Sequence, residues 1–180
     1  MILRLRGAVP EIVSTIAVAG VAATLVLLTG SAFFSSSETA IFSLPREWID
    51  EQAGASDRGR TLQTLAADPH RLLVTLLVGN NVVNVAISSI VTVLVTGYPE
   101  AGPAVVVATV VTSTLVLLFG EIVPKSVGLA NAERLAVTVA PVIAVVERVL
   151  SPLITLFDIV TRRLGALVGA GHAIERPYLD

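Results

Sequence analysis

The stretch Gly120-Glu121-Ile122-Val123-Pro124-Lys125 sets a carboxylate, a proline and a lysine at the end of an uncharged run, residues 101–120. An ionisable group at membrane depth costs about 2.5–3.5 kcal/mol at the centre of a helix, so its presence points to use. Pro124 has no N–H, so the carbonyl four residues back, on Gly120, is expected to lose its helical partner. Gly120 has no side chain to shield that oxygen. A free carbonyl next to a carboxylate makes half of a site for a hard cation.

Two other stretches offer oxygen donors. Ser31, Ser35 and Glu38 fall on one helical face at the end of the first apolar run. Asn80, Asn84 and Ser88 are spaced by four and form a polar stripe in the second. A water-exposed helix end would account for the serines, and hydrogen-bond glue between helices for the asparagines. The functional alternative is a row of hydroxyl and side-chain carbonyl ligands. Oxygen donors around one carboxylate suit Mg²⁺, Ca²⁺, Mn²⁺ or Na⁺ and disfavour Zn²⁺ and Cu²⁺. The sequence has no cysteine, and both histidines, His70 and His172, lie outside the longest apolar runs. Thiolate metal chemistry is therefore excluded, and an intramembrane hydrolase lacks a nucleophile–base pair. The expectation is a protein that is not an enzyme.

The elements that carry these donors are membrane helices. Hydrophobic residues make up 54% of the 180 positions, charged residues only 14%, and mean hydropathy is +0.84. A soluble domain is about 25% charged. Residues 12–37, 72–99 and 101–120 carry no charge, and about 20 residues span the hydrocarbon. The reading is an all-α membrane domain over 1–170, with spans at about 12–34, 72–96 and 104–127. The first run is too long for a cleaved secretory signal and is followed by further spans. Residues 45–67 are charged, with Leu62, Leu65 and Ala66 at helical spacing, and predict an amphipathic helix on the membrane surface. The apolar run 135–146 is short, and Glu147 and Arg148 would sit mid-span in 135–157. Helices at the interface or against the bundle are therefore expected over about 131–168, and a linker over 171–180. Net charge is −2, which gives no argument for nucleic acid.

Basic residues set the expected orientation. With the N-terminus outside, the outer segments hold only Arg4 and Arg6, and the other basic residues face the cytosol. The turn 97–103 has none and falls outside; the C-terminus is cytosolic.

Phe34-Ser35-Ser36-Ser37-Glu38-Thr39-Ala40, Gly79-Asn80-Asn81-Val82-Val83-Asn84 and Gly120-Glu121-Ile122-Val123-Pro124-Lys125 together resemble the transmembrane domain of the CNNM/CorC magnesium transporters. The motifs stand in the family's order, and the resemblance covers nearly the whole chain. It implies a homodimer in the plasma membrane, with three transmembrane helices and juxtamembrane belt helices per subunit. It also implies Mg²⁺ export, with Na⁺ as the coupling ion, and cytosolic CBS domains beyond the linker. By motif position the ion site is Ser35, Asn80, Asn84, Gly120 and Glu121; Asn81 is not carried over. The competing reading is a membrane anchor and dimerisation scaffold for CBS domains, with no transport of its own.

Overall fold

A computed structural model describes residues 2–96 and 101–167, and all the elements described are helical. They are α1 (Ile2–Phe42), α2 (Arg46–Ala55), α3 (Asp57–Ala66), α4 (Pro69–Thr96), α5 (Ala101–Leu115), a π-helical turn (Val116–Ile122), α6 (Val123–Ala130) and α7 (Ala132–Leu167). Helix is the form in which an apolar segment satisfies its own backbone groups in lipid. The outward faces are correspondingly apolar: Val18, Val26 and Val85 on α1 and α4 are 65–72% exposed.

α1 and α4 run antiparallel in close register. Gly30 faces Val83 and Gly79 faces the Phe34 ring, so the helices stay close at membrane depth. The third long segment, α5 through α6, runs parallel to α1. Gly120 packs on Leu28 and Ser31, and Gly128 on the backbone of Ser36.

α2 and α3 form a hairpin at the other end of α1. Gly54 and Gly59 lie inside these helices, and the break falls at Ser56, whose hydroxyl caps α3 by accepting from Gly59 N–H at 3.0 Å. Asp68 caps α4, accepting from Arg71 N–H at 3.0 Å, with Pro69 as the first helical residue. The apolar face expected on the membrane surface turns inward instead. Ile49, Leu62 and Leu65 join Ile41, Leu72, Leu76, Ala136, Val139, Ala140 and Ile143 in one buried cluster, because α7 covers the hairpin.

The largest departure from the sequence reading is α7. Four helices among the described residues are long and apolar enough to cross a membrane: Thr15–Phe42, Pro69–Thr96, Gly102–Ala130 and Ala132–Phe157. The sequence pointed to three. Pro141 and Pro152 lie inside α7 without ending it. Each removes one backbone bond, at about 3 kcal/mol or more, and burial of Ala136, Val139, Ala140 and Ile143 offsets that loss. Glu147, the charge that argued against a continuous apolar helix, is paired with Arg71. The expected linker at 171–180 and residues 97–100 of the expected turn lie outside the described residues.

The α2–α3 hairpin yields a direct stability test. A Cβ at Gly59 would stand 1.9 Å from the Gln52 carbonyl oxygen, a backbone atom that cannot swing away, whereas Gly54 has nothing within 4 Å. Gly59→Ala is expected to cost about 1–3 kcal/mol, read as a lower thermal midpoint in detergent. Gly54→Ala should leave the midpoint unchanged or raise it, since alanine is the better helix former.

Candidate functional site

Helix register brings the three donor stretches to one depth. Ser31 stands eleven residues before the end of α1 at Phe42, and Asn80 eleven residues after the start of α4 at Pro69. At 1.5 Å per residue each is about 16 Å from that end of the bundle. The Ser31 hydroxyl donates to Asn80 Oδ1 at 2.9 Å. A Cβ on Gly120 would stand 2.7 Å from the same Ser31 oxygen, so only glycine lets the third segment come this near. Ser31 thus joins all three segments. The sequence places it on a polar face with Ser35 and Glu38 but outside the five residues expected to form the site. Its spacing of four from Ser35 was the available signal.

Gly120 and Glu121 lie in the π-helical turn Val116–Ile122. There Val123 N–H reaches back five residues to the Leu118 carbonyl. Continued in that register, the N–H that Pro124 lacks would have met Phe119, whereas α-helical register puts the loss on Gly120. Pro124 and the wide turn therefore disturb the ladder over the two residues before Glu121. Such π insertions are rare and concentrate at functional sites.

The remaining assigned residues divide into two groups. Ser35, one turn below Ser31, is 1% exposed, and its Oγ has no hydrogen-bond partner. Asn84, one turn above Asn80, has a buried Oδ1 that is also unpartnered. Asn84 and Glu121 line the same cavity between α4 and α5, of about 370 Å³. Among the described residues, these two oxygens are the buried side-chain polar atoms left without a partner. Leaving such an atom unpaired costs about 1–3 kcal/mol. No three His, Cys, Asp or Glu side chains converge among the described residues. Any cation held here would meet neutral oxygens and the Glu121 carboxylate.

Profile comparison matches residues 22–180 to the Cyclin M transmembrane N-terminal domain. The chain belongs to the CNNM transmembrane-domain family. Its CNNM relatives include the UPF0053 inner membrane protein YfjD of Escherichia coli, 33% identical over 141 residues, which is 77% of this chain and 32% of that protein. A UPF0053 protein of Haemophilus influenzae is 32% identical over 158 residues, 87% of this chain and 37% of the relative. A chloroplastic DUF21 domain-containing protein of Arabidopsis thaliana is 39% identical over 128 residues, 71% of this chain and 19% of the relative. The CNNM chain described here thus spans well under half the length of these relatives.

Two ion pairs flank the candidate site, and neither is evident in the sequence. Lys125 Nζ lies 3.5 Å from Glu38 Oε2, tying α6 to the end of α1 just beyond Ser35. Lys125 had no role in the sequence. The signal was opposite charges at the same end of two parallel helices. Arg71 pairs with Glu147 through Nε, and its guanidinium donates to Ser151 Oγ at 3.0 Å. This second pair fastens α7 to the first turn of α4.

Proposed function

We propose that this domain is a transporter rather than an enzyme, and that it moves Mg²⁺ through a site made by Ser35, Asn80, Asn84, Gly120 and Glu121. The observation that carries this reading is the pair of unpartnered buried oxygens, Ser35 Oγ and Asn84 Oδ1. Buried polar groups are normally satisfied, and a cation seated beside Glu121 in the cavity would satisfy Asn84 Oδ1, while Ser35 Oγ, about two turns further along the bundle, would meet the ion at a separate step of its passage. Neutral oxygens with one carboxylate suit a hard cation bound reversibly. The resemblance to magnesium transporters supports Mg²⁺ as the ion, export as the direction and Na⁺ as the coupling ion.

The topology in this reading has three spans. Arg71 contacts both Glu147 and Ser151, and Leu72 and Leu76 share a cluster with Ala136 to Ile143. The stretch of α7 from Ala136 to Ser151 therefore gathers by the first turns of α4, as a helix laid across the end of the bundle would. We read α7 as that juxtamembrane helix. The N-terminus is then outside, and α2, α3, α7 and the C-terminus are cytosolic, in keeping with the basic residues. The relative in Escherichia coli is named an inner membrane protein, and we place this chain in the plasma membrane. We further propose a homodimer whose full-length chain continues into cytosolic CBS domains.

The Ser31–Asn80 hydrogen bond favours a second reading, a membrane scaffold whose polar stripes are structural glue. Calorimetric titration of the detergent-solubilised protein with MgCl₂ separates the two. The transporter reading expects saturable binding that is lost in Glu121→Gln. No saturable heat in the unaltered protein, or identical binding in the variant, would leave the scaffold.

A further inference from the structure

We propose that the groove between α4 and α5 is a hydrated cation path, joining the Glu121 carboxylate to the membrane face opposite the Glu38–Lys125 pair. The proposal rests on Glu121 being the carboxylate of the cation site. Asn84 and Glu121 close one end of the groove, and Val95 and Val105 stand at the other. Along α4 that is eleven residues, about 16 Å by the helix rise. Ser88, Thr92, Thr109, Thr112 and Ser113 line the length between.

Three of the four hydroxyls of α5 lie on its groove side, Thr114 being the exception. Thr109, Thr112 and Ser113 face the groove, while Val106, Val107 and Val110 are 61–64% exposed outside it. A helix side meant for lipid has no use for three hydroxyls.

The hydrogen bonds sharpen this. In a helix at membrane depth a hydroxyl commonly satisfies itself by donating to the carbonyl four residues back. Thr114, outside the groove lining, does so, to Val110 O at 2.8 Å. The hydroxyls of Thr109, Thr112 and Ser113 make no such bond among the described residues. Across the groove Ser88 donates to Asn84 O at 3.0 Å and Thr92 to Ser88 O at 2.8 Å. Their protons are thereby used, and their lone pairs remain as acceptors. Against lipid these groups would be short of partners; water satisfies all of them. The unpaired Asn84 Oδ1 continues the row of acceptors to Glu121. The groove lining holds no basic side chain, and Glu121 is its charged residue, so a cation is favoured over an anion.

The sequence lacks cysteine, which allows single reporter thiols. Thr109→Cys and Ser113→Cys would be compared with Val106→Cys and Val110→Cys in proteoliposomes, using a membrane-impermeant cationic methanethiosulfonate. The reactive thiolate needs water, so the groove thiols are expected to react at least about tenfold faster than the valine-site thiols. An anionic reagent of similar size should react more slowly in the groove than the cationic one, and Glu121→Gln should reduce that preference. Equal, slow reaction at all four positions would overturn the proposal. So would spontaneous disulfide pairing of two Ser113→Cys copies with no reagent access, which would make the groove a protein interface. Thiol rates require no transport. Loss of the Mg²⁺-binding reading would leave fast groove thiols intact, and a dry groove would leave Mg²⁺ titration intact.

Discussion

Glu121→Ala and Asn84→Ala are each expected to abolish Mg²⁺ movement in proteoliposomes carrying a Mg²⁺-sensitive dye, while the protein keeps its helicity and oligomeric state. Glu121 is the carboxylate of the cavity it shares with Asn84. At an effective dielectric of about 20, a unit charge pair about 4 Å apart is worth on the order of 4 kcal/mol before desolvation. A divalent ion feels about twice that. Every 1.4 kcal/mol or so is tenfold in affinity, so losing the carboxylate removes binding at millimolar Mg²⁺. Asn84 contributes a neutral ligand, but its Oδ1 is already desolvated and unpaired, so its removal costs the ion a ligand that no water has to leave. Among the described residues neither side chain makes a hydrogen bond that holds helices together, in contrast to Asn80 with Ser31. Unchanged flux in both variants would sink the site assignment.

Gly128→Ala should separate packing from ligation. A Cβ there would lie 2.4 Å from the Ser36 carbonyl oxygen and 3.0 Å from its Cα. Both are backbone atoms, so α6 must move off α1. Overpacking of this kind costs about 1–3 kcal/mol. The shift also draws Lys125 from Glu38, 3.5 Å away, and loosens the contact of Gly120 with Ser31. The expected result is a lower thermal midpoint in detergent together with weaker Mg²⁺ binding, although Gly128 carries no ligand. A variant with normal stability and normal binding would show that the α1–α6 contact does not position the site.

The donors and the helices that hold them could be read from the residues because they obey short-range rules. Asn80 and Asn84 are one turn apart on any helix, and the uncharged runs are long enough to span. What could not be read depends on register between segments. Ser31 was one hydroxyl among several until Gly120 and Asn80 met it. Lys125 had no meaning before α6 was laid parallel to α1 beside Glu38. The surface helix at 45–67 was legible as amphipathic, but nothing in its own pattern says whether lipid or α7 covers Leu62 and Leu65. Glu147 and Arg148 broke the last apolar run because a charge in sequence has no visible partner; Arg71, on another helix, supplies one for Glu147.

The shared depth of Ser31 and Asn80 also carries an electrical consequence. The site lies seven residues from Glu38 and eleven from Phe42 along α1, about 10–16 Å by the helix rise. That is about a third to a half of a hydrocarbon core near 30 Å. One charge crossing the whole membrane potential exchanges about 2.3 kcal/mol per 100 mV. A dication travelling from the α2–α3 end to this depth would therefore exchange about 1.5–2.3 kcal/mol per 100 mV with the field. In the proposed transport reading, seating the ion would already be a voltage-dependent step, and the resting potential of the cell would bias how full the site stands before any helix moves.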